Sequence, residues 1–286
     1  MTDMDKKLLG SKVKELRKKR GLTQSALSAG KITRNMISSI ENGVASPSME
    51  TLAHIADALG VDTAYFLTDD YDMAFFEKKT VIEKIYRAYE AKNYGACIKT
   101  ISSLSETDNE LDYLLSVCYF EIGKESVLSG SLLTATEHLS TAIKYCRKTK
   151  IDTSHIELKI PVYMAVAKNV QSPLLELEPQ KYVDQLADSA DYEFFKYLTM
   201  DLSYQFSTPT YRLHMDAKAL INQRNYSEAT KKLLSAVELS KSDKYNAYAI
   251  FSLYSDLELC YKQLYNFERA YFYSNKRITL LEGFKI

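Results

Sequence analysis

Arg34 and Asn35 stand side by side in the run Thr33-Arg34-Asn35-Met36-Ile37-Ser38-Ser39-Ile40-Glu41-Asn42-Gly43, with Gly21-Leu22-Thr23-Gln24 just upstream. A guanidinium can fork two donors onto guanine O6 and N7, and a carboxamide can satisfy adenine N6 and N7. Two short helices joined by a tight turn, the second with a polar, uncharged-to-basic outer face, present such groups to a major groove. Charge agrees. Between Lys6 and Gly43 ten Lys and Arg face only Glu15 and Glu41, whereas the whole chain of 286 residues is neutral. A basic patch this local is the footprint of a phosphate-binding face.

Other chemistries lack their residues. His54, His138, His155 and His214 are isolated and form no metal-ligand cluster, and no glycine-rich phosphate loop, nucleophile elbow or paired-carboxylate signature occurs. Catalysis, metal binding and cofactors are therefore not expected. Cys97, Cys118, Cys146 and Cys260 are far apart without a CxxC pair, which predicts free buried thiols and a reducing cytoplasm. No apolar run is long enough for a membrane span, and the acidic amino terminus carries no secretory signal. His54 is expected to face solvent.

The elements that must position the polar face are helices. The first is predicted from about Gly10 to Arg20, burying Leu9, Val13 and Leu16, with Gly21 as a left-handed stop. Thr23 caps a second helix in which Leu27 points inward, and Thr33 caps a third with Ile37 and Ile40 in the core. That orientation turns Arg34, Asn35, Ser38 and Ser39 outward. Ser48 caps a fourth helix with a buried stripe of Met49, Leu52, Ile55, Ala56 and Leu59, ended by Gly60. Val61 to Leu67 form a short fifth helix. Glu41 is expected to pair with Arg17 rather than to face phosphate.

The order T-Q, I-E-N-G and P-S-x-x-T-L-x-x-I-A-x-x-L-G-V over about residues 8–67 resembles the phage-repressor (Cro/C1, Xre) helix-turn-helix family. The link Ser28-Ala29-Gly30-Lys31-Ile32 is one residue shorter than its commonest form. What the resemblance implies is operator DNA as partner. Arg34 and Asn35 would read bases, and Ser38 and Ser39 would flank them, with Ser39 touching a base edge or phosphate. Gln24, Thr33 and Asn42 would hold phosphates, and Lys18 and Lys19 would add sequence-independent attraction. A specific operator needs a two-fold dimer with half-sites about 34 Å apart.

No Phe or Tyr precedes Tyr65, and all 33 lie from that position onward, so a small aliphatic domain gives way to an aromatic one. The acidic segment Thr68-Asp69-Asp70-Tyr71-Asp72 is the linker candidate, dividing the chain into 1–68 and 69–286. Strand signals are nearly absent, and the fold class is all-α throughout. In the second part Asn93-Tyr94-Gly95-Ala96-Cys97, Leu132 with Ala135, Asn225-Tyr226-Ser227-Glu228-Ala229 and Asn266-Phe267-Glu268-Arg269-Ala270 repeat one pattern: a large residue, then a small one three later. These copies resemble tetratricopeptide repeats, degenerate and lengthened, and predict an α-solenoid with one poorly conforming unit around Ile156–Tyr197.

A phage-repressor-type domain joined to such repeats resembles the peptide-pheromone-responsive regulators of Gram-positive bacteria (the Rgg, PlcR and PrgX type). That implies a homodimer controlled by a short peptide in a concave groove. Candidate peptide contacts are Asn169, after Pro161, and His214, Lys218 and Asn222 along the inner face of one helix, since asparagine both donates to and accepts from an extended backbone. Two alternatives stay open: a protein-interaction scaffold anchored to DNA, and a dimeric repressor without a ligand.

Overall fold

The computed structural model describes residues 3–28, 30–67, 73–170, 186, 191–242 and 246–283. The linker candidate at 68–72 lies outside them. Every regular element among the described residues is helical. The chain divides into two compact units, Met1–Ala91 with Lys99–Thr107, and Lys92–Ile98 with Asp108–Ile286. This grouping places the helix Met73–Glu90 with the first unit, and a functional division at residue 68 stays our proposal.

In the first unit α1 spans Asp3–Lys19, α2 Gln24–Ser28, α3 Arg34–Glu41, α4 Met49–Leu59 and α5 Met73–Glu90. The caps follow the polar residues ahead of each apolar stripe. Thr23 Oγ1 accepts from Ala26 N at 3.1 Å, Thr33 Oγ1 from Met36 N at 3.1 Å, and Ser48 Oγ from Thr51 N at 3.2 Å. Each accepts from an N–H that the helix itself cannot pair. Leu9, Val13, Leu27, Ile37, Ile40, Leu52, Ile55, Ala56 and Leu59 close into one core.

Three local expectations change. α1 begins two turns earlier than Gly10, and Leu16 is only half-buried against the core. Met49 is 63% exposed rather than buried; it opens α4, where a side chain leans toward the amino-terminal end and off the bundle. The fifth helix is a single 3-10 turn, Thr63–Phe66, capped by Asp62, whose Oδ1 accepts from Ala64 N at 3.0 Å. That turn drives Tyr65 and Phe66 into the core, edge-on at 5.1 Å, with Phe76 of α5 edge-on to Tyr65 at 5.9 Å. The small domain is therefore aliphatic in its helices but closed by aromatic rings.

The second unit is built from helical hairpins. After α6 (Tyr94–Ile101), whose last three residues group with the first unit, come α7 (Asn109–Ser129) with α8 (Leu132–Lys148), then short helices α9 (Ser154–Glu157), α10 (Ile160–Lys168) and α11 (Tyr192–Leu198). They are followed by α12 (Pro209–Asn222) with α13 (Tyr226–Leu239), and α14 (Ala247–Gln263) with α15 (Phe267–Gly283). The repeated sequence pattern has a physical basis in the turns. Lys92, Arg224 and Tyr265 take positive φ of 55°, 61° and 57°, and Gly130 takes 90°. After each of the three non-glycine residues an asparagine caps the next helix: Asn93 Oδ1 accepts from Ala96 N, Asn225 Oδ1 from Glu228 N and Asn266 Oδ1 from Arg269 N. The small residue one turn later, Cys97, Ala135, Ala229 or Ala270, is buried and lets a facing helix approach.

Residues 171–185 and 187–190 of the stretch around Ile156–Tyr197 lie outside the described residues. α9 to α11 are short, and their apolar weight sits in packed rings: Tyr163 against Phe194 at 5.8 Å and Phe195 at 5.7 Å, and Tyr197 stacked on Tyr211 at 4.1 Å. The tyrosines here fill the interior between helices.

Asn225→Ala removes one cap, at about 1 kcal/mol of local stability. Faster hydrogen exchange at the first-turn amides of α13 measures it. Arg224→Gly should leave those amides as protected or better, because glycine accepts a left-handed φ without strain.

Candidate nucleic-acid interface

Thr33, Arg34, Asn35 and Asn42 are exposed on or beside α3, and Ser38 and Ser39 are half-buried at its flank. One face thus carries every predicted base reader, while Ile37 and Ile40 root the opposite face in the core. Lys18 is exposed, whereas Lys19 is engaged with Glu77 of α5, Nζ to Oε1 2.9 Å. Lys12, which the charge count placed in the basic patch, is buried, with its ammonium 5.9 Å from the Tyr65 ring centre. The cationic surface open to phosphate is therefore narrower than the sequence count.

Gln24 is placed differently from an outward phosphate donor. It is half-buried, and its amide nitrogen donates to Glu41 Oε2 at 2.8 Å, tying α2 to the last turn of α3. An amide nitrogen carries two hydrogens, so one stays available outside that bond. Glu41 also receives Arg17 in a two-pronged pair, Nε to Oε1 2.5 Å and an Nη2 to Oε2 bond of 3.1 Å, and the same guanidinium donates to the Leu22 carbonyl at 2.7 Å. The expected Arg17–Glu41 pair is present, and it reaches further than expected: one carboxylate joins α1, the turn at Leu22, α2 and α3. Burial raises the Glu41 pKa, but hydrogen bonds from Arg17 and Gln24 and the charges of Arg17 and Lys14 outweigh it. The carboxyl is held below its usual range.

A second constraint is steric and escaped the sequence reading. Gly10 sits inside α1, where a Cβ would meet the Ile40 carbonyl oxygen at 2.2 Å and the Glu41 carbonyl oxygen at 3.0 Å. Gly43, at φ +69°, lies against Lys7 in the same way, with a Cβ 2.8 Å from its Cγ. The backbone of α1 thus rests directly on the carboxy-terminal end of α3 and sets its height. In the sequence Gly10 stood only as the expected start of the first helix. His54 also departs from expectation. It is half-buried, with Nε2 3.3 Å from the Ser28 carbonyl oxygen at the end of α2.

The four residues expected to hold a peptide do not form one site. His214 is fully buried: its Nδ1 lies 2.6 Å from Tyr197 Oη and its Nε2 2.8 Å from Asp256 Oδ2. Lys218 completes the relay on Asp256, 2.8 Å from Oδ2. Burial lowers the His214 pKa, and Lys218 adds to this against the pull of Asp256, which favours the neutral ring. It donates from Nε2 and accepts the Tyr197 hydroxyl proton at Nδ1, a tautomer assigned from its partners. His214 is thus an interior strut between α11, α12 and α14 rather than a groove contact. Asn222 is exposed at the end of α12, and Asn169 is half-buried just past α10.

None of these four lines either of two cavities found among the described residues of this unit. The first, about 440 Å³, is lined by Tyr163, Asp191, Glu193, Phe194, Tyr211 and Asn246 among others. Its polar groups are already partnered. Asp191 pairs with Lys124 at 2.5 Å and Lys159 at 3.1 Å, Glu193 accepts from the Thr208 backbone at 2.9 Å ahead of α12, and Asn246 donates to Tyr211 Oη at 2.7 Å. All four cysteines are free and buried. Among the described residues no three His, Cys, Asp or Glu converge as a metal would need, and no helix is long and apolar enough to cross a membrane.

Residues 13–66 match the family model described as Helix-turn-helix. No curated protein matches the chain. The crystal structure of Bacillus thuringiensis PlcR in complex with the peptide PapR7 and DNA is similar over 98% of each chain at 20% identity, with a TM-score of 0.25.

Gly10→Ala should destabilise the first unit by roughly 1–3 kcal/mol through overpacking, against the usual helical preference for alanine. Gly95→Ala in α6, whose Cβ meets nothing within 4 Å, should not; thermal melts of the two full-length variants decide. Because the folded Glu41 pKa is depressed, its contribution is complete above the ordinary carboxylate range and fades as pH falls through the lowered value. Protection of α3 amides should hold from neutral pH down to that range and drop below it. Loss of protection on raising the pH instead would contradict the assignment.

Proposed function

We propose that this chain is a sequence-specific, DNA-binding transcriptional regulator, acting as a homodimer, whose helical-repeat unit binds a short peptide that sets its operator affinity. The observation that carries the DNA reading is α3: Arg34 and Asn35 stand exposed on a helix whose other face is locked by Ile37, Ile40 and Glu41, within a segment matching a helix-turn-helix family. A rigid rod with a guanidinium and a carboxamide on its free face is what direct readout requires.

Support for a peptide comes from the second unit by itself. Stacked helix pairs expose extended binding surfaces, and this unit holds two cavities large enough for several side chains. A single helix-turn-helix reads few base pairs, so dimerisation follows from the need for two half-sites.

Two substitutions separate reading from sticking. Arg34→Ala should cost roughly 1–3 kcal/mol on the preferred operator and relax preference at one base position. Lys18→Ala should weaken binding about equally on all sequences and reduce the salt slope by about one. Titrations against a matched set of single-base operator variants at several salt concentrations check both. An unchanged base profile in Arg34→Ala removes α3 as the reader.

A further inference from the structure

The last hairpin carries a groove that the interior relay and the first cavity leave without a task. A cavity of about 720 Å³ is lined by Tyr254 of α14 and by Glu268, Tyr271, Phe272, Lys276 and Leu280 of α15, among others. Its aromatic walls are open to solvent, with Tyr271 69% and Phe272 52% exposed. Lys276 stands among them, its Nζ 5.0 Å from the Phe272 ring centre and 5.7 Å from that of Tyr254. Its neighbour Arg277 is occupied by Glu258 at 3.0 Å, but no carboxylate among the described residues pairs with Lys276.

An ammonium held beside two ring faces is oriented by their quadrupoles, yet a ring satisfies no hydrogen-bond donor the way an oxygen does. Its N–H groups, exposed to solvent, are free to take an anionic acceptor in place of water. The surroundings specify that acceptor further. A single cation suits a single negative charge, and the flanking rings suit an apolar body attached to it. Glu268 lies eight residues earlier on α15, about 12 Å along the axis, which repels an anion from that end and favours N–H groups there. Three or four extended residues cover about that span.

We propose that this groove binds the carboxyl-terminal end of a short apolar peptide, with the terminal carboxylate on Lys276 and the last side chains against Tyr254, Tyr271 and Phe272. The inference rests on the peptide-sensing reading and gives it a polarity: the chain runs from Lys276 toward Glu268, carboxylate first. A charged hydrogen bond lost on amidating the peptide should weaken binding about tenfold.

The probe is a pool of heptapeptides, mixed at six positions and ending in Phe, made once with a free carboxylate and once as the carboxamide. Equilibrium dialysis against the full chain should retain the acid pool about tenfold more strongly than the amide pool. Lys276→Gln should bring the acid pool down to the amide level, Lys276→Arg should preserve the preference, and Phe272→Ala should lower retention of both pools. Equal retention of the two pools, retention of neither, or an acid preference untouched by Lys276→Gln overturns the proposal. So does a changed sedimentation coefficient in Lys276→Gln and Phe272→Ala with retention unchanged, which assigns the groove to a second copy of the chain. Operator binding followed in parallel keeps the two readings apart. A protein that prefers the acid pool but ignores every duplex loses its role on DNA while the groove stands; one that binds an operator without preferring the acid pool loses the groove alone.

Discussion

A buried carboxylate fixes the geometry on which the DNA reading depends. Glu41 closes α3 and is shared by Arg17 from α1 and Gln24 from α2, so three helices meet on two oxygen atoms. Its side chain is 1% exposed, and a charge at that depth is tolerable only with hydrogen-bonded partners of opposite sign around it. Removing one partner would strand the rest, which makes the knot a strong constraint on relative helix placement even where its net contribution to stability is small. The carboxylate also lies at the far end of α3 from its cap, so the helix is pinned at Thr33 and Glu41, with Arg34, Asn35, Ser38 and Ser39 between the two fixed points. Gly10 adds a hard stop from α1 to this electrostatic one.

In the repeat unit the same logic appears with other materials. Left-handed residues at 92, 224 and 265, each followed by a capping asparagine, make the turns alike, and small buried residues set the spacing inside each hairpin. Between them lies a polar strut, Tyr197–His214–Asp256–Lys218, in a densely aromatic interior. Each member satisfies the next, so the hydroxyl, ring and carboxylate are buried without an unpaired donor at the histidine. Such a strut specifies how α11, α12 and α14 register against one another and keeps His214 off the surface.

Much of this was legible from residue order. Thr23, Thr33 and Ser48 ahead of apolar stripes marked the helix starts, because an oxygen one residue before a helix has few better uses. Ile37 and Ile40 fixed which face of α3 is hidden, and so which face is free. Asn93, Asn225 and Asn266 marked the hairpins. What escaped depends on neighbours distant in sequence. Met49 looked like part of a stripe, yet it sits where the helix has run off the bundle. Lys12 counted as surface charge until Tyr65 covered it. His214 lay on the face that packs inward, and nothing local announced that Tyr197 and Asp256, 17 residues before and 42 after it, would meet its two nitrogens. Gly10 read as the start of the first helix because the carbonyls it accommodates belong to α3.

The central claim is that the free face of α3 reads base edges, and selection of duplexes from a random pool by the full chain tests it most directly. The account predicts enrichment of an inverted repeat whose half-sites lie about one helical turn apart, with one strongly preferred guanine and one adenine in each half. Retention of DNA without any enriched motif, at a salt concentration that suppresses phosphate-only binding, would contradict it.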